Sequence, residues 1–171
     1  RSGGCLLDLH IHDTDFVHHL LGSPQEVVSH GTRDAAGWSH VFTTYRFKDL
    51  VVTAEGGWNY PAKWGFQMAF QAVFENGAVE YDSSATPTLT VTLGKAARRA
   101  LPFQRLSPGS SRIKAGNISS LAAYCAELAY FITCLEEGTR PEIATGEQAL
   151  ATLRTVLAER RSLQGGGKPV N

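Results

Sequence analysis

A strand-rich block over residues 26–106 constrains the possible folds more than any other feature of this sequence. β-Branched and aromatic residues, which favour strands, are concentrated in VFTTYRFKDLVVTAEGGW, FQMAFQAVFENGAVEYDSS and TLTVTLGK. Lys48-Asp49 predicts a turn, and Asn76-Gly77 is a pair that favours a two-residue hairpin turn with positive φ. Because such turn signals recur at short intervals, the block predicts one largely antiparallel sheet.

Two helices are predicted after the strand-rich block. The first begins near Ser119 or Ser120, either of which could cap it, and ends at Gly138. The second opens with a capping-box pattern at Thr145 and Gln148. Together with an N-terminal helix, this order predicts an α+β fold, an open, predominantly antiparallel sheet with helices packed on one face. We expect the last helix to bury Ala149, Leu150, Leu153, Val156 and Leu157.

Length and charge narrow the class of protein. The 171 residues predict a single domain, and 16 basic residues balance 16 acidic ones, which gives no argument for a nucleic-acid or membrane partner. No apolar run approaches the roughly 20 residues of a membrane span. The three cysteines lack metal-site spacing, as expected for reduced thiols in a cytoplasmic protein. Gly3-Gly4 runs directly into an apolar stretch, as expected for a domain cut from a longer polypeptide.

The motif D-x-H-x-H is formed by Asp8, His10 and His12 in the opening segment. At the end of a strand, this motif is typical of metal-dependent hydrolases built on barrels. Such barrels need more than about 200 residues and alternate strands with helices. This sequence has only 171 residues and shows no such alternation. We therefore expect no metal site, and a metal hydrolase remains the least favoured alternative.

A helix over residues 6–21 accounts for the opening segment better than a strand does, because Gly22 then supplies its C terminus. Helical geometry brings a carboxylate and an imidazole one turn apart, an arrangement that can orient the imidazole for proton transfer. The alternative is a solvated polar helix face, whose pairs contribute a few tenths of a kcal/mol. On a helix, four ionisable residues share a stripe roughly 60° wide: Asp8, His12, Asp15 and His19.

Three stretches of the sequence resemble the Gfo/Idh/MocA oxidoreductases, which include glucose–fructose oxidoreductase and inositol dehydrogenase. GGCLLDLHIHDTDFVHHLLG is similar to the G-G-G-x-x-x-D-x-G-x-H-x-x-D segment that opens the substrate domain of that family. FQAVFENGAVEYDSS resembles its sheet hairpin, and residues 121–170 resemble its closing pair of helices. The resemblance extends over residues 3–170.

The resemblance implies a C-terminal substrate domain that is normally joined to a dinucleotide-binding domain. The implied activity is an NAD(P)-dependent oxidation or reduction of a sugar, polyol or related hydroxyl or carbonyl compound, with a homo-oligomer formed through the open sheet face. By position in the motif, His12 is the acid/base and Asp8 its partner. Asp15 matches the last motif residue and is a candidate for binding substrate.

The sequence departs from the family pattern in two respects. His10 stands where the family has glycine, so its imidazole either packs against the sheet or narrows the substrate cleft. The sequence also lacks a G-x-G-x-x-G loop and an E-K-P lysine, so we expect this chain alone neither to bind NAD or NADP nor to transfer hydride. A non-catalytic dimerisation or ligand-binding domain is therefore an alternative, and whether the chain is itself an enzyme stays open.

A second group of candidate residues lies in AEGGWNYPAKWGF, residues 54–66. Trp58, Tyr60 and Lys63 could bind a sugar or polyol by ring stacking and a charged hydrogen-bond donor. The alternative is that Trp58 and Trp64 cap the core at the ends of strands.

Overall fold

The computed structural model describes residues 3–102 and 122–171. The predicted start of the second helix, near Ser119 or Ser120, lies outside these ranges. A π-helical turn over Leu6–His10 leads directly into the first α-helix. The elements in chain order are α1 (Ile11–Leu21), β1 (Glu26–Asp34), β2 (Gly37–Arg46), β3 (Val51–Gly57), β4 (Ala69–Phe74), β5 (Gly77–Asp82), β6 (Leu89–Leu93), β7 (Arg99–Ala100), α2 (Ala122–Glu137) and α3 (Gly146–Gln164).

The chain divides into two compact units. The first comprises Arg1–Pro61 and Pro141–Asn171, and the second comprises Ala62–Arg140. The α+β class and the antiparallel pairing are confirmed, and the described strands are distributed over two sheets, β1-β2-β3 and β4-β5-β6-β7. The single domain over 1–171 stays a prediction. No helix in the described ranges is both long and apolar enough to cross a lipid bilayer.

In the first unit, helices α1 and α3 cover one face of the β1-β2-β3 sheet. The side chains of strand β2 alternate between buried and exposed, so one face of the sheet is buried and is covered by the helices. Val41 and Tyr45 are fully buried against residues of the helices, whereas Phe42 on the opposite face is 49% exposed. Lys48-Asp49 forms the predicted turn between β2 and β3.

Helix α3 begins at the predicted capping box, in which the Thr145 side chain accepts from the Gln148 backbone N–H. Its buried face is more polar than expected. Leu150 and Leu153, which were expected to be buried, are 47% and 39% exposed, whereas Val156 is fully buried as expected. The reason is that the face toward the sheet and α1 carries hydrogen-bonding side chains, namely Thr152, Glu159 and Ser162.

The second unit contains the predicted hairpin, because β4 pairs with β5 in antiparallel register. The turn differs by one residue from the prediction. Glu75 and Asn76 form the turn, and Gly77 already pairs with Phe74 as the first residue of β5. A Cβ on Gly77 would lie 2.5 Å from the Thr92 carbonyl oxygen, so this glycine is required for close strand approach rather than for positive φ.

Candidate functional site

The opening segment is helical, as the spacing of its residues predicts. Gly3 and Gly4 precede it with φ of 92° and 81°, a region that disfavours other residues. A Cβ on Gly4 would lie 3.0 Å from the Trp38 carbonyl oxygen of β2, so the chain enters the helix in close contact with the sheet. The extended geometry that the metal-hydrolase interpretation requires is therefore not adopted, and the described residues contain no group of three or more potential ligands able to hold a metal ion.

The three residues of the D-x-H-x-H motif differ in their exposure to solvent. Asp8 and His12 are exposed, whereas His10 between them is fully buried. Within the described residues, no hydrogen bond or ion pair connects Asp8 with His12. The two side chains are thus available to solvent and to a ligand, and their assignment as a catalytic pair stays a prediction.

His10 packs against the sheet, which confirms one of the two interpretations of this residue. Its Nε2 lies 3.1 Å from the Thr43 hydroxyl, 3.4 Å from the Tyr45 hydroxyl and 3.5 Å from Oε2 of Glu159. Its Nδ1 lies 3.3 Å from Oδ2 of Asp13, a carboxylate that is partly exposed. The imidazole therefore lies between two carboxylates, one from its own helix and one from α3.

Glu159 is fully buried and belongs to the same polar cluster. Its Oε1 accepts hydrogen bonds from the Thr14 hydroxyl at 2.9 Å and the Tyr45 hydroxyl at 3.0 Å. Burial raises the pKa of Glu159, although His10 and these two hydroxyls act in the opposite direction. Burial, together with the nearby Glu159 charge, also raises the pKa of Tyr45. Oε2 of Glu159 and Nδ1 of His10 have no hydrogen-bond partner among the described residues.

The cluster continues through two serines to the C-terminal segment. The Ser29 hydroxyl lies 2.8 Å from that of Thr43, and the Ser29 backbone N–H donates to the Ser162 hydroxyl at 2.9 Å. Ser162 in turn donates to the Lys168 carbonyl at 2.7 Å. Hydrogen bonds of these side chains thus join α1, β1, β2 and α3.

Asp15, the third residue of the motif, is exposed and already has one partner. Its Oδ1 accepts a hydrogen bond from the Thr152 hydroxyl of α3 at 2.7 Å. One turn later, His18 contacts Thr155 of α3 through Nε2 at 2.9 Å. These two contacts attach α1 to α3, and the assignment of Asp15 to substrate binding stays a prediction.

A second polar cluster lies near the end of β3 and was not predicted. His40 contacts Oε1 of Glu55 at 2.8 Å and Oδ1 of Asn59 at 2.7 Å, and its ring stacks on Phe42 with centroids 4.8 Å apart. The Tyr60 hydroxyl donates to Oε1 of Glu55 at 3.3 Å. Burial and the Glu55 charge raise the pKa of Tyr60.

The predicted sugar-binding residues lie in different units. Trp58 and Tyr60, in the first unit, are 39% and 41% exposed. Trp64, in the second unit, is 53% exposed, so neither tryptophan ring is buried in the way that the core-cap alternative expects. Lys63 is exposed and also belongs to the second unit, so it stays a separate prediction.

Two residues of the main cluster, Tyr45 and Glu159, were missed by reasoning from the sequence. The signal for Glu159 was its position three residues after Val156 and four before Leu163, within the buried stripe of α3. A carboxylate in such a stripe requires a buried polar partner. His10 was noted as an unusual residue, but the sequence did not connect it with α3.

Comparison with known proteins confirms the resemblance drawn from the sequence. Residues 1–80 match the model of the GFO/IDH/MocA C-terminal domain. A search of curated protein sequences finds no match. Solved structures with the same fold include an oxidoreductase from Agrobacterium radiobacter in complex with NAD+, L-tartaric acid and magnesium, with 18% identity and a TM-score of 0.78 over 99% of this chain and 51% of that one.

Two other solved structures share the fold. Levoglucosan dehydrogenase in complex with NADH and levoglucosan is 17% identical, with a TM-score of 0.77 over 98% of this chain and 50% of that one. A myo-inositol dehydrogenase from Corynebacterium glutamicum is 19% identical, with a TM-score of 0.62 over 99% of this chain and 49% of that one. The chain therefore spans about half the length of the structures it matches.

Proposed function

We propose that this chain is the C-terminal substrate-binding domain of an NAD(P)-dependent oxidoreductase that acts on a sugar, polyol or related hydroxyl or carbonyl compound. The match of residues 1–80 to the GFO/IDH/MocA C-terminal domain carries this proposal, because the exposed Asp8 and His12 lie in the helix that opens it. Structures of the same fold are oxidoreductases in complex with NAD+ or NADH and with hydroxylated compounds such as tartaric acid, sorbose and levoglucosan.

In the proposed mechanism, His12 accepts the proton of a substrate hydroxyl, and it returns this proton when the reaction runs toward the alcohol. Asp8, four residues earlier in the same segment, is proposed as its partner once substrate is bound. A nicotinamide cofactor would supply the hydride chemistry. The residues of this chain do not fit such a cofactor, since the sequence has no G-x-G-x-x-G loop to bind a pyrophosphate. NAD or NADP would therefore bind to a separate dinucleotide-binding domain.

The proposal also assigns substrate contacts and partners. Trp58 and Tyr60 offer exposed rings for stacking on a sugar, Asp15 an exposed carboxylate and Lys63 a separate charged donor. The sheet face opposite α1 and α3, which exposes Phe42, would form a homo-oligomer contact. The complete protein would act in the cytoplasm on a small molecule, with neither nucleic acid nor membrane as partner.

The decisive experiment starts from the gene. The coding sequence upstream of residue 1 is read, and the complete protein is assayed for NAD+ or NADP+ reduction on a panel of sugars and polyols. We expect a strand–G-x-G-x-x-G–helix unit upstream, and a fall in kcat of about 100-fold or more for His12→Ala. His19→Ala is the matched control, because this exposed histidine lies at the end of the same helix.

Two outcomes would contradict parts of the proposal. An unchanged kcat in His12→Ala removes this residue from the mechanism. A complete protein that binds a sugar but reduces neither cofactor supports the alternative of a non-catalytic dimerisation or ligand-binding domain.

A further inference from the structure

A groove in the first unit lies between α3 and the segment that joins α1 to β1. Its volume is about 420 Å³, within the range of small-molecule sites. We call it the α3 groove and define it by Val27, Arg154, Leu157, Ala158, Arg161 and Val170. None of the residues in the proposed function lines it, so it is a separate candidate site.

Two arginines of α3 line this groove. Arg154 and Arg161 are seven residues apart, so they lie on the same side of the helix with Cα atoms about 10 Å apart. Both are exposed, and neither side chain has a hydrogen bond or ion pair with any residue in the described ranges. No acidic residue lies three or four positions from either one along α3. Neither arginine is therefore paired with an acidic side chain of α3.

The side-chain carboxylate in the groove does not neutralise these arginines. Glu26 lines the groove, but its Oε1 accepts from Nε of Arg46 at 3.0 Å. The hydrogen bond and charge of Arg46 also lower the pKa of Glu26, so this pair stays ionised and internally balanced near neutral pH. Among the side chains that line the groove, the two α3 guanidinium groups lack a partner of opposite charge within the described ranges. Asn171, the last of the 171 residues, also lines the groove, so in the purified chain a main-chain carboxylate adds one negative charge and the net charge stays positive.

The rest of the lining is mainly apolar. The aliphatic part of this surface comes from Val27, Leu157, Ala158 and Val170. A guanidinium group binds a carboxylate through paired N–H donors, and aliphatic surface favours a hydrocarbon spacer. We propose that the α3 groove binds a small organic dianion, with one acidic group on Arg154, the other on Arg161 and an apolar chain between them.

Suberate is a suitable probe, because its carboxylates are separated by roughly 9 Å when seven bonds of about 1.5 Å are extended. Binding to the purified chain is measured by isothermal titration calorimetry. We expect saturable binding with a dissociation constant below about 1 mM. Octanoate, with one carboxylate, should bind about tenfold more weakly, and the neutral 1,8-octanediol weaker still. Raising the salt concentration should weaken suberate binding.

The variants separate this site from general attraction to a basic surface. Arg154→Gln with Arg161→Gln should weaken suberate binding at least about tenfold. Arg160→Gln is the matched control, because this exposed arginine lies on α3 but does not line the groove, and it should bind suberate like the parent chain. Circular dichroism verifies that both proteins are folded.

Three outcomes would overturn the inference. These are the absence of saturable suberate binding, equal affinity for suberate and octanoate, and equal losses in the double variant and in Arg160→Gln. None of these outcomes bears on the proposed function, because the groove contains neither Asp8 nor His12.

Discussion

Glu159 offers the most direct test of how helix α1 is held against the sheet. In Glu159→Ala, the hydroxyls of Thr14 and Tyr45 lose their shared acceptor, and His10 loses the carboxylate 3.5 Å from its Nε2. A buried hydroxyl that is left without its acceptor costs about 1–3 kcal/mol, and here two hydroxyls lose theirs together. We therefore expect Glu159→Ala to lower the free energy of unfolding by about 3–5 kcal/mol, a large fraction of the stability of a typical domain.

The conservative variant separates the charge from the hydrogen bonds. Glu159→Gln keeps an oxygen for the Thr14 and Tyr45 hydroxyls but places a neutral amide beside His10. We expect it to cost about 1–2 kcal/mol, less than the alanine variant. Urea unfolding followed by circular dichroism and fluorescence measures both. Glu75→Gln in the exposed hairpin turn is the control and should stay within about 0.5 kcal/mol of the parent.

The contribution of Glu159 to the free energy of unfolding should decrease as the pH rises. Burial raises the pKa of Glu159 above its ordinary value of 4.5, so the folded chain binds a proton more tightly than the unfolded chain. This group therefore contributes stability that is present below about pH 4.5 and is lost as the pH rises through the folded-state pKa. His10, Tyr45 and Asp13 are the titratable groups that act on it. We expect the stability of the parent chain relative to the Glu159→Gln variant to decrease as the pH rises through that window.

A double-mutant cycle between His10 and Glu159 tests whether the two act as a unit. We expect His10→Ala with Glu159→Leu to be more stable than the sum of the single effects predicts, by about 1 kcal/mol or more, because each single change leaves the other group without its partner. Additive effects, or a cost below about 1 kcal/mol for Glu159→Ala, would refute the argument that this buried cluster anchors α1.

Two further predictions concern the start of the chain. Gly4→Ala should lower the free energy of unfolding by about 1–3 kcal/mol, since the glycine has φ of 81° and a Cβ would approach the Trp38 carbonyl to 3.0 Å, and thermal unfolding will measure this loss. Cys5 should resist iodoacetamide until the protein unfolds, because burial raises the pKa of its thiol to about 11, whereas the exposed Cys125 should react in the native state, as peptide mass spectrometry after labelling will show.

Features that depend on neighbouring residues could be predicted from the sequence. The opening helix, the hairpin after β4 and the capping box of α3 each follow from residues within a few positions of one another. Even so, the hairpin turn was placed one residue late. Asn76-Gly77 is a frequent turn pair, but here Gly77 is required by the strand beside it, a contact that no local pattern contains.

The buried cluster could not be predicted, because its members are far apart in the sequence. Thr14 and Glu159, which share a hydrogen bond, are 145 positions apart. Counting apolar residues along α3 favoured Leu150 and Leu153 as core residues, yet both are substantially exposed. The face of α3 that contacts α1 and the sheet combines apolar residues with Thr152, Glu159 and Ser162, whose hydrogen-bond partners are distant in the sequence.

The environment of His10 explains how an imidazole fits where the Gfo/Idh/MocA motif that this segment resembles has glycine. An imidazole in place of glycine adds a bulky polar group to the contact between the opening helix and the sheet, and burying such a group without partners costs about 1–3 kcal/mol. Here the hydroxyls of Thr43 and Tyr45 lie 3.1 Å and 3.4 Å from its Nε2, so hydrogen bonds offset part of that cost. The helix can therefore bury His10 while Asp8 and His12 stay exposed, so the His10 side chain contacts the sheet and does not occupy the surface that carries the proposed chemistry.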